Sequence, residues 1–213
     1  MFVNILMPNL LQLDSSPLGD ASISRALSRQ FVQDWKAANP SGKIVTRDLT
    51  TESLPPVTAA WLAANFTPED SRTSAQKHLL RTSDELIAEL HWGDVLVFGV
   101  PMHNFSIPAV LKLWIDQIVR RGKTFDYTEN GLVGLLTNKE AHVLVASGGV
   151  YEAGTPAAGL NFVEPYLRAI FKFVGITDVR FLWAGGTAGI MRGQMDRETL
   201  LQPHMAAIRA HFK

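Results

Sequence analysis

Residues 101–105 read Pro101-Met102-His103-Asn104-Phe105, which puts a thioether, an imidazole, a carboxamide and a benzyl ring in consecutive positions. The apolar run 94–100 (DVLVFGV) comes directly before them, and Ser106-Ile107-Pro108, a helix start, comes directly after. A flat ligand with an apolar face and a polar edge suits that mixture. Met102 and Phe105 offer surface to an aromatic system, and Asn104 offers both a donor and an acceptor. Read by themselves, Met102 and Phe105 equally suit a cap on the core, and His103 equally suits a solvated loop.

Two other stretches carry comparable chemistry. Residues 14–24 (Asp14 followed by SSPLGDASIS) place Ser15, Ser16, Ser22 and Ser24 just ahead of a helix. Free N–H groups and the positive end of the helix dipole make such a place a phosphate site, although serine is also a common N-cap. Residues 146–151 (ASGGVY) contain Gly148 and Gly149, which let backbone approach a ligand closely, or simply make a turn. None of the three is a GxGxxG or Walker fingerprint.

The elements that position them follow from periodicity. Asn9–Leu13, Lys43–Leu49, residues 94–100, about 141–146 and Thr177–Trp183 read as strands. Helical spacing runs over Ser22–Asn39 (Ile23, Leu27, Phe31, Trp35), Ser74–His91 (Leu79, Leu86, Ile87, Leu90), from Pro108 to Gly122 (Leu111, Trp114, Ile115, Ile118), 164–174 and about Asp196–His211. A short helix is expected near Ala59–Ala64, and Asn130-Gly131 marks a small hairpin. Continuous apolar strands alternating with helices predict an α/β fold, a doubly wound five-stranded parallel sheet of flavodoxin-like order 2-1-3-4-5 with helices on both faces. In such a sheet ligands bind outside the carboxyl ends of the strands. All three chemical stretches follow strands one, three and four.

The chain of 213 residues fits one domain over 1–213, with residues 1–8 as an N-terminal extension. Twenty Lys and Arg balance twenty Asp and Glu, so no electrostatic pull toward nucleic acid or an anionic membrane is expected. Cysteine is absent, so thiol catalysis, disulfides and cysteine-ligated metals are excluded, and redox chemistry would need a bound cofactor. No metal site is expected. Pro8 and two asparagines interrupt the apolar N-terminal stretch, and no basic residue precedes Arg25. Neither a signal peptide nor a membrane span is therefore expected, and the expected compartment is the cytoplasm.

The segments Asp14 with SSPLGDASISRAL after it, SDELIAELHWGDVLVFGVPMHNFSIPAVLKLWIDQIVR, GKTFDYTENGLVGLL, SGGVYEAGTPAAGLNFVEPYLR and FKFVGITDV follow one another in order, spread from about residue 10 to 184. Their sequence resembles the FMN-dependent NADH-azoreductase and NADH:quinone oxidoreductase family of flavodoxin-like flavoproteins. The resemblance implies non-covalent FMN, NADH or NADPH as co-substrate, quinone and azo acceptors, a ping-pong reaction, and a homodimer with active sites at its interface. It assigns Ser16, Ser22, Ile23 and Ser24 to the phosphate loop, and Met102, His103, Asn104 and Phe105 to the flavin edge. Ser147, Gly148 and Gly149, with Tyr151 beyond, form its second flavin loop. Tyr127 and Phe173 become the substrate-side aromatics, expected from different subunits, and no side chain is an obligatory acid or base. Gly148 and Gly149 N–H groups would face negative charge developing on the reduced flavin. Members usually carry Tyr or Trp where His103 stands, and many carry Ser-Arg where this chain has Ala146-Ser147. The alternative is a flavodoxin-like FMN electron carrier or redox-responsive binding protein without NAD(P)H turnover. Small carriers of that kind tend to be strongly acidic, whereas this chain is neutral.

Overall fold

The computed structural model describes residues 8–51 and 53–212. Of the expected extension at residues 1–8, all but Pro8 lies outside the described residues. Strands β1 (Asn9–Asp14), β2 (Lys43–Asp48) and β3 (Val95–Pro101) are separated by helices α1 (Ile23–Ala38), α2 (Ala59–Phe66) and α3 (Ser74–Trp92). Next come α4 (Ala109–Ile118), the short strands β4 (Phe125–Thr128) and β5 (Gly131–Gly134), and β6 (Glu140–Ala146). The chain ends with α5 (Glu164–Val174), β7 (Asp178–Ala184), α6 (Ala188–Met191) and α7 (Arg197–His211). The main sheet is parallel, in the order β2-β1-β3-β6-β7. With the β4–β5 hairpin set aside, that is the flavodoxin-like order 2-1-3-4-5.

Successive residues of a strand face opposite sides of the sheet, and the core divides accordingly. Leu11 and Leu13 of β1, Leu96, Phe98 and Val100 of β3, and Val143 and Val145 of β6 pack against α3, α4 and α5 through Leu86, Trp114 and Phe171. Leu10, Val95, Val97 and Leu144 face α1 and α7 through Leu27, Phe31, Trp35, Leu201 and Ile208. The α1 stripe Ile23, Leu27, Phe31, Trp35 is buried as its spacing predicts. On α3 Leu86, Ile87 and Leu90 are buried as expected, but Leu80 is fully buried in place of Leu79, which is 40% exposed. Leu80 packs with Trp61 and Ala64, so docking of α2, which the period of α3 cannot report, selects the residue that goes inward.

Local chemistry fixes the ends. Ser22 caps α1 by accepting the Arg25 N–H at 3.2 Å, Thr73 and Gln76 form a capping box on α3, and Asp196 caps α7 through Thr199. The hairpin differs from an Asn-Gly two-residue turn. Thr128 pairs with Gly131, which leaves Glu129 and Asn130 at the tip, and only Gly131 takes a positive φ (100°). Thr128 Oγ1 accepts the Asn130 N–H, which supplies the local bond the turn needs. Among the described residues no helix is long and apolar enough to cross a membrane.

Candidate active site

The loop after β3 folds as a four-residue turn. His103 N–H donates to the Ser106 carbonyl at 2.9 Å, and Ser106 N–H returns a bond to the His103 carbonyl at 3.0 Å. The two residues between, Asn104 and Phe105, both take positive φ, 48° and 71°. Each such non-glycine residue costs about 1–2 kcal/mol. Neighbouring bonds hold the strained turn: Met102 N–H donates to the Ala146 carbonyl at 2.7 Å, and Phe162 N–H donates to the Phe105 carbonyl at 3.0 Å. The rings of Phe105 and Tyr151 meet edge to face at 5.9 Å. His103, Asn104 and Phe105 are all exposed, so the strain serves presentation and not burial.

The loop after β1 rests on a buried polar cluster. Asp14 accepts from Ser28 Oγ at 2.7 Å and from Gln12 Nε2 at 3.0 Å. Burial pushes its carboxyl above the usual range, against the Ser28 hydrogen bond and the nearby Arg25 charge. Arg25 donates to the Ser16 carbonyl at 2.7 Å and to Asp48 at 2.5 Å. Burial alone would raise the Asp48 carboxyl, but hydrogen bonds from Arg25 and Thr50 bring it down to about 2. Above this cluster Ser16, Ser22 and Ser24 are buried, with the Ser22 and Ser24 hydroxyls 3.2 Å apart. The N–H groups of Ile23 and Ser24, at the first turn of the 16-residue helix α1, have no partner among the described residues.

The loop after β6 is pinned by backbone bonds. Ser147 N–H donates to the Ala184 carbonyl, Ser147 Oγ to the Gly149 carbonyl, and Thr187 N–H to the Ser147 carbonyl. Gly148 and Gly149 N–H groups are likewise unpartnered among the described residues. A Cβ built on Gly148 would meet nothing nearer than Ala188 Cβ, at 3.8 Å.

Three hollows meet along this carboxyl edge. Ser16, Ser22, Ile23, Met102, His103 and Gly148 border a cavity of about 250 Å³. His103 and Asn104 also wall a neighbouring cleft with Lys112 and Tyr166, and Gly148, Gly149 and Tyr151 wall another with Arg192 and Met195. Ser24 and Ser147 are buried and Phe105 is exposed, and none of the three lines these hollows. Ser16, Ser22, Ile23, Met102, His103 and Gly148, from the loops after strands one, three and four, are thus brought together at one cavity.

Tyr127 and Phe173 are not. Both lie against Phe125 of the same chain, at ring separations of 5.9 and 4.6 Å. Phe173 lies in the last turn of α5, whose eleven residues run back from the carboxyl edge, a length of about 16 Å. The cluster therefore sits toward the amino edge of the sheet, away from its own chain's cavity.

A fourth loop, after β7, went unread in the sequence: Thr187, Ile190, Met191 and Arg197 complete the 250 Å³ cavity. The signal that could have found it was the glycine-rich AGGTAG at the end of the fifth strand, on the same edge as the other three loops.

A doubly wound sheet whose carboxyl-edge loops offer hydroxyls and free N–H groups on one side, and an apolar and amide edge on the other, defines a flavodoxin-like protein with a site suited to a phosphorylated flat ligand. The profile of the flavodoxin-like fold family matches residues 8–212, and the chain belongs to that family and, within it, to the FMN-dependent NADH:quinone oxidoreductases. It is 51% identical over 203 residues to the FMN-dependent NADH:quinone oxidoreductase of Acidobacterium capsulatum, covering 95% of this chain and 98% of that one. A Burkholderia lata enzyme of the same name is 46% identical, covering 97% and 100%. An FMN-dependent NADH-azoreductase from Bacillus anthracis, solved in complex with FMN, superposes with a TM-score of 0.85 at 27% identity, covering 97% and 98%.

Proposed function

We propose that this chain is an FMN-dependent oxidoreductase that takes hydride from NADH and delivers it to quinones and azo compounds by a ping-pong mechanism, as one domain working in a homodimer. The observation that carries the reading is the pair of unpartnered N–H sets, Ile23 with Ser24 and Gly148 with Gly149, at loops that share walls with Met102 and His103. FMN, when bound, supplies the hydride-accepting and hydride-donating chemistry.

The residues present fit that cofactor. Ile23 and Ser24 N–H groups, with the Ser16, Ser22 and Ser24 hydroxyls, hold the phosphate at the positive end of α1. Met102 and Phe105 supply apolar wall, and the free Asn104 amide supplies donor and acceptor for a heterocycle edge. Gly148 and Gly149 N–H groups stabilise negative charge at the opposite edge. Ser147 and Tyr151 fix the loop that carries them. His103 fills space, and protons reach the acceptor from water, so no side chain acts as an obligatory acid or base. Nicotinamide and acceptor use the same face in turn.

The Phe125, Tyr127 and Phe173 cluster is not among the residues lining its own chain's cavity, and in the homodimer it serves the site of the second protomer. Its setting supports that role: Tyr127, Leu132, Val133 and Leu135 are all exposed apolar residues on or beside the hairpin. Initial rates at several fixed benzoquinone concentrations test the order of events. Parallel double-reciprocal lines against NADH are expected, and intersecting lines would reject the ping-pong scheme.

A further inference from the structure

Arg197, the first residue of α7, reaches back 175 or more positions along the chain to the loop after β1. It donates to the Asp20 carbonyl at 2.8 Å and to the Ser22 carbonyl at 3.1 Å. It also walls the 250 Å³ cavity alongside Ser16, Ser22 and Ile23. The other two arginines at this loop are already neutralised, Arg25 by Asp48 at 2.5 Å and Arg29 by Asp20 at 2.6 Å. Asp196, beside Arg197 in sequence, is engaged in capping α7 through Thr199. Among the described residues Arg197 forms no ion pair. The hydroxyl and N–H groups of the cradle are neutral, and a phosphate monoester carries close to two negative charges at neutral pH.

We propose that Arg197 is a phosphate-recognising residue, the uncompensated cation that makes this site select a phosphorylated flavin over its dephosphorylated form. This rests on the FMN reading above. Two backbone carbonyls fix the guanidinium before any ligand arrives, so little side-chain freedom is lost when its remaining N–H groups meet the phosphate. A charge-assisted bond of this kind is worth roughly a ten- to hundredfold change in affinity.

The test titrates flavin-stripped, full-length protein with FMN and with riboflavin, following quenching of flavin fluorescence at low and high salt. R197Q is expected to weaken FMN by about tenfold or more, to leave riboflavin within about threefold, and to flatten the salt dependence. R197K keeps the charge and is expected to stay closer to wild type than R197Q does, with the salt dependence intact. Equal losses for both flavins would overturn the proposal, because Arg197 would then only tether α7 to the loop. So would loss in R197K equal to that in R197Q, or FMN affinity unchanged in R197Q. A wild-type protein that binds neither flavin would instead defeat the functional reading on which the proposal stands.

Discussion

The carbonyl of Phe105 accepts the backbone N–H of Phe162 at 3.0 Å, so the strained turn after β3 is clamped by the chain that leads into α5. Two loops from neighbouring strands therefore hold one another, and the left-handed backbone of Asn104 and Phe105 persists although both side chains are exposed. The cost of the turn is met by its surroundings in return for a presented ring and amide.

That strain predicts a trade between stability and binding. Phe105→Gly removes the penalty of φ 71° together with the ring. The melting temperature of flavin-free F105G is expected to equal or exceed that of wild type, while FMN affinity falls by about tenfold. A melting temperature several degrees lower would show that the turn is unstrained.

Gly99 lies beneath the loop after β1, where an added Cβ would come within 2.3 Å of Asp14 Oδ1 and 3.1 Å of Ser28 Oγ. Gly99→Ala is expected to cost about 1–3 kcal/mol in urea unfolding and to weaken FMN, because the Asp14–Ser28 pair supports the loop above it. Unchanged stability and affinity would mean that the cluster yields freely.

The Arg25–Asp48 pair sets an acid limb of stability. Hydrogen bonds hold Asp48 at about 2 in the fold against an ordinary 3.8, so the pair contributes fully above pH 3.8 and loses its contribution as pH falls through about 2. Asp14, raised by burial, acts in the opposite sense, its protonation easing the fold as pH falls toward 3.8. The stability difference between wild type and Asp48→Asn isolates the pair: about 2 kcal/mol or more at neutral pH, shrinking between about pH 4 and 2. A difference that does not change with pH would contradict the assignment.

At Gly134 the hairpin meets the end of α5 backbone to backbone. An added Cβ would lie 2.1 Å from Gly175 N and 2.3 Å from the Val174 carbonyl carbon, neither of which can move aside. Gly134→Ala displaces Tyr127 from its place, and Tyr127→Ala removes its ring. Both variants are expected to raise the KM for benzoquinone about tenfold and to leave FMN affinity intact, as the substrate-side role requires. Unchanged quinone kinetics in Tyr127→Ala would remove the cluster from the site.

The sheet was legible because its central strands β1, β3 and β6 are largely apolar on both faces and because helices such as α1 carry an apolar stripe, Ile23, Leu27, Phe31 and Trp35. Caps such as Ser22, and the Pro108 and Gly122 boundaries of the fourth helical stretch, placed the ends to within a few residues. Three of the four carboxyl-edge loops stood out by residue type. What the sequence concealed depends on contacts across the chain. Leu80 goes inward in place of Leu79 because Trp61 docks there. Arg197 reaches the first loop only because α7 packs against α1. Tyr127 and Phe173 proved to be one cluster because both meet Phe125, a pairing that no spacing in the sequence reports.

The central claim is hydride transfer through a bound flavin, and an anaerobic absorption spectrum tests it most directly. Protein loaded with FMN and freed of excess is mixed with NADH and then with benzoquinone. The account predicts that the flavin band bleaches with NADH and returns with quinone in stoichiometric amount. A protein that retains FMN but does not bleach with NADH, or bleaches and is not reoxidised by quinone, would contradict it.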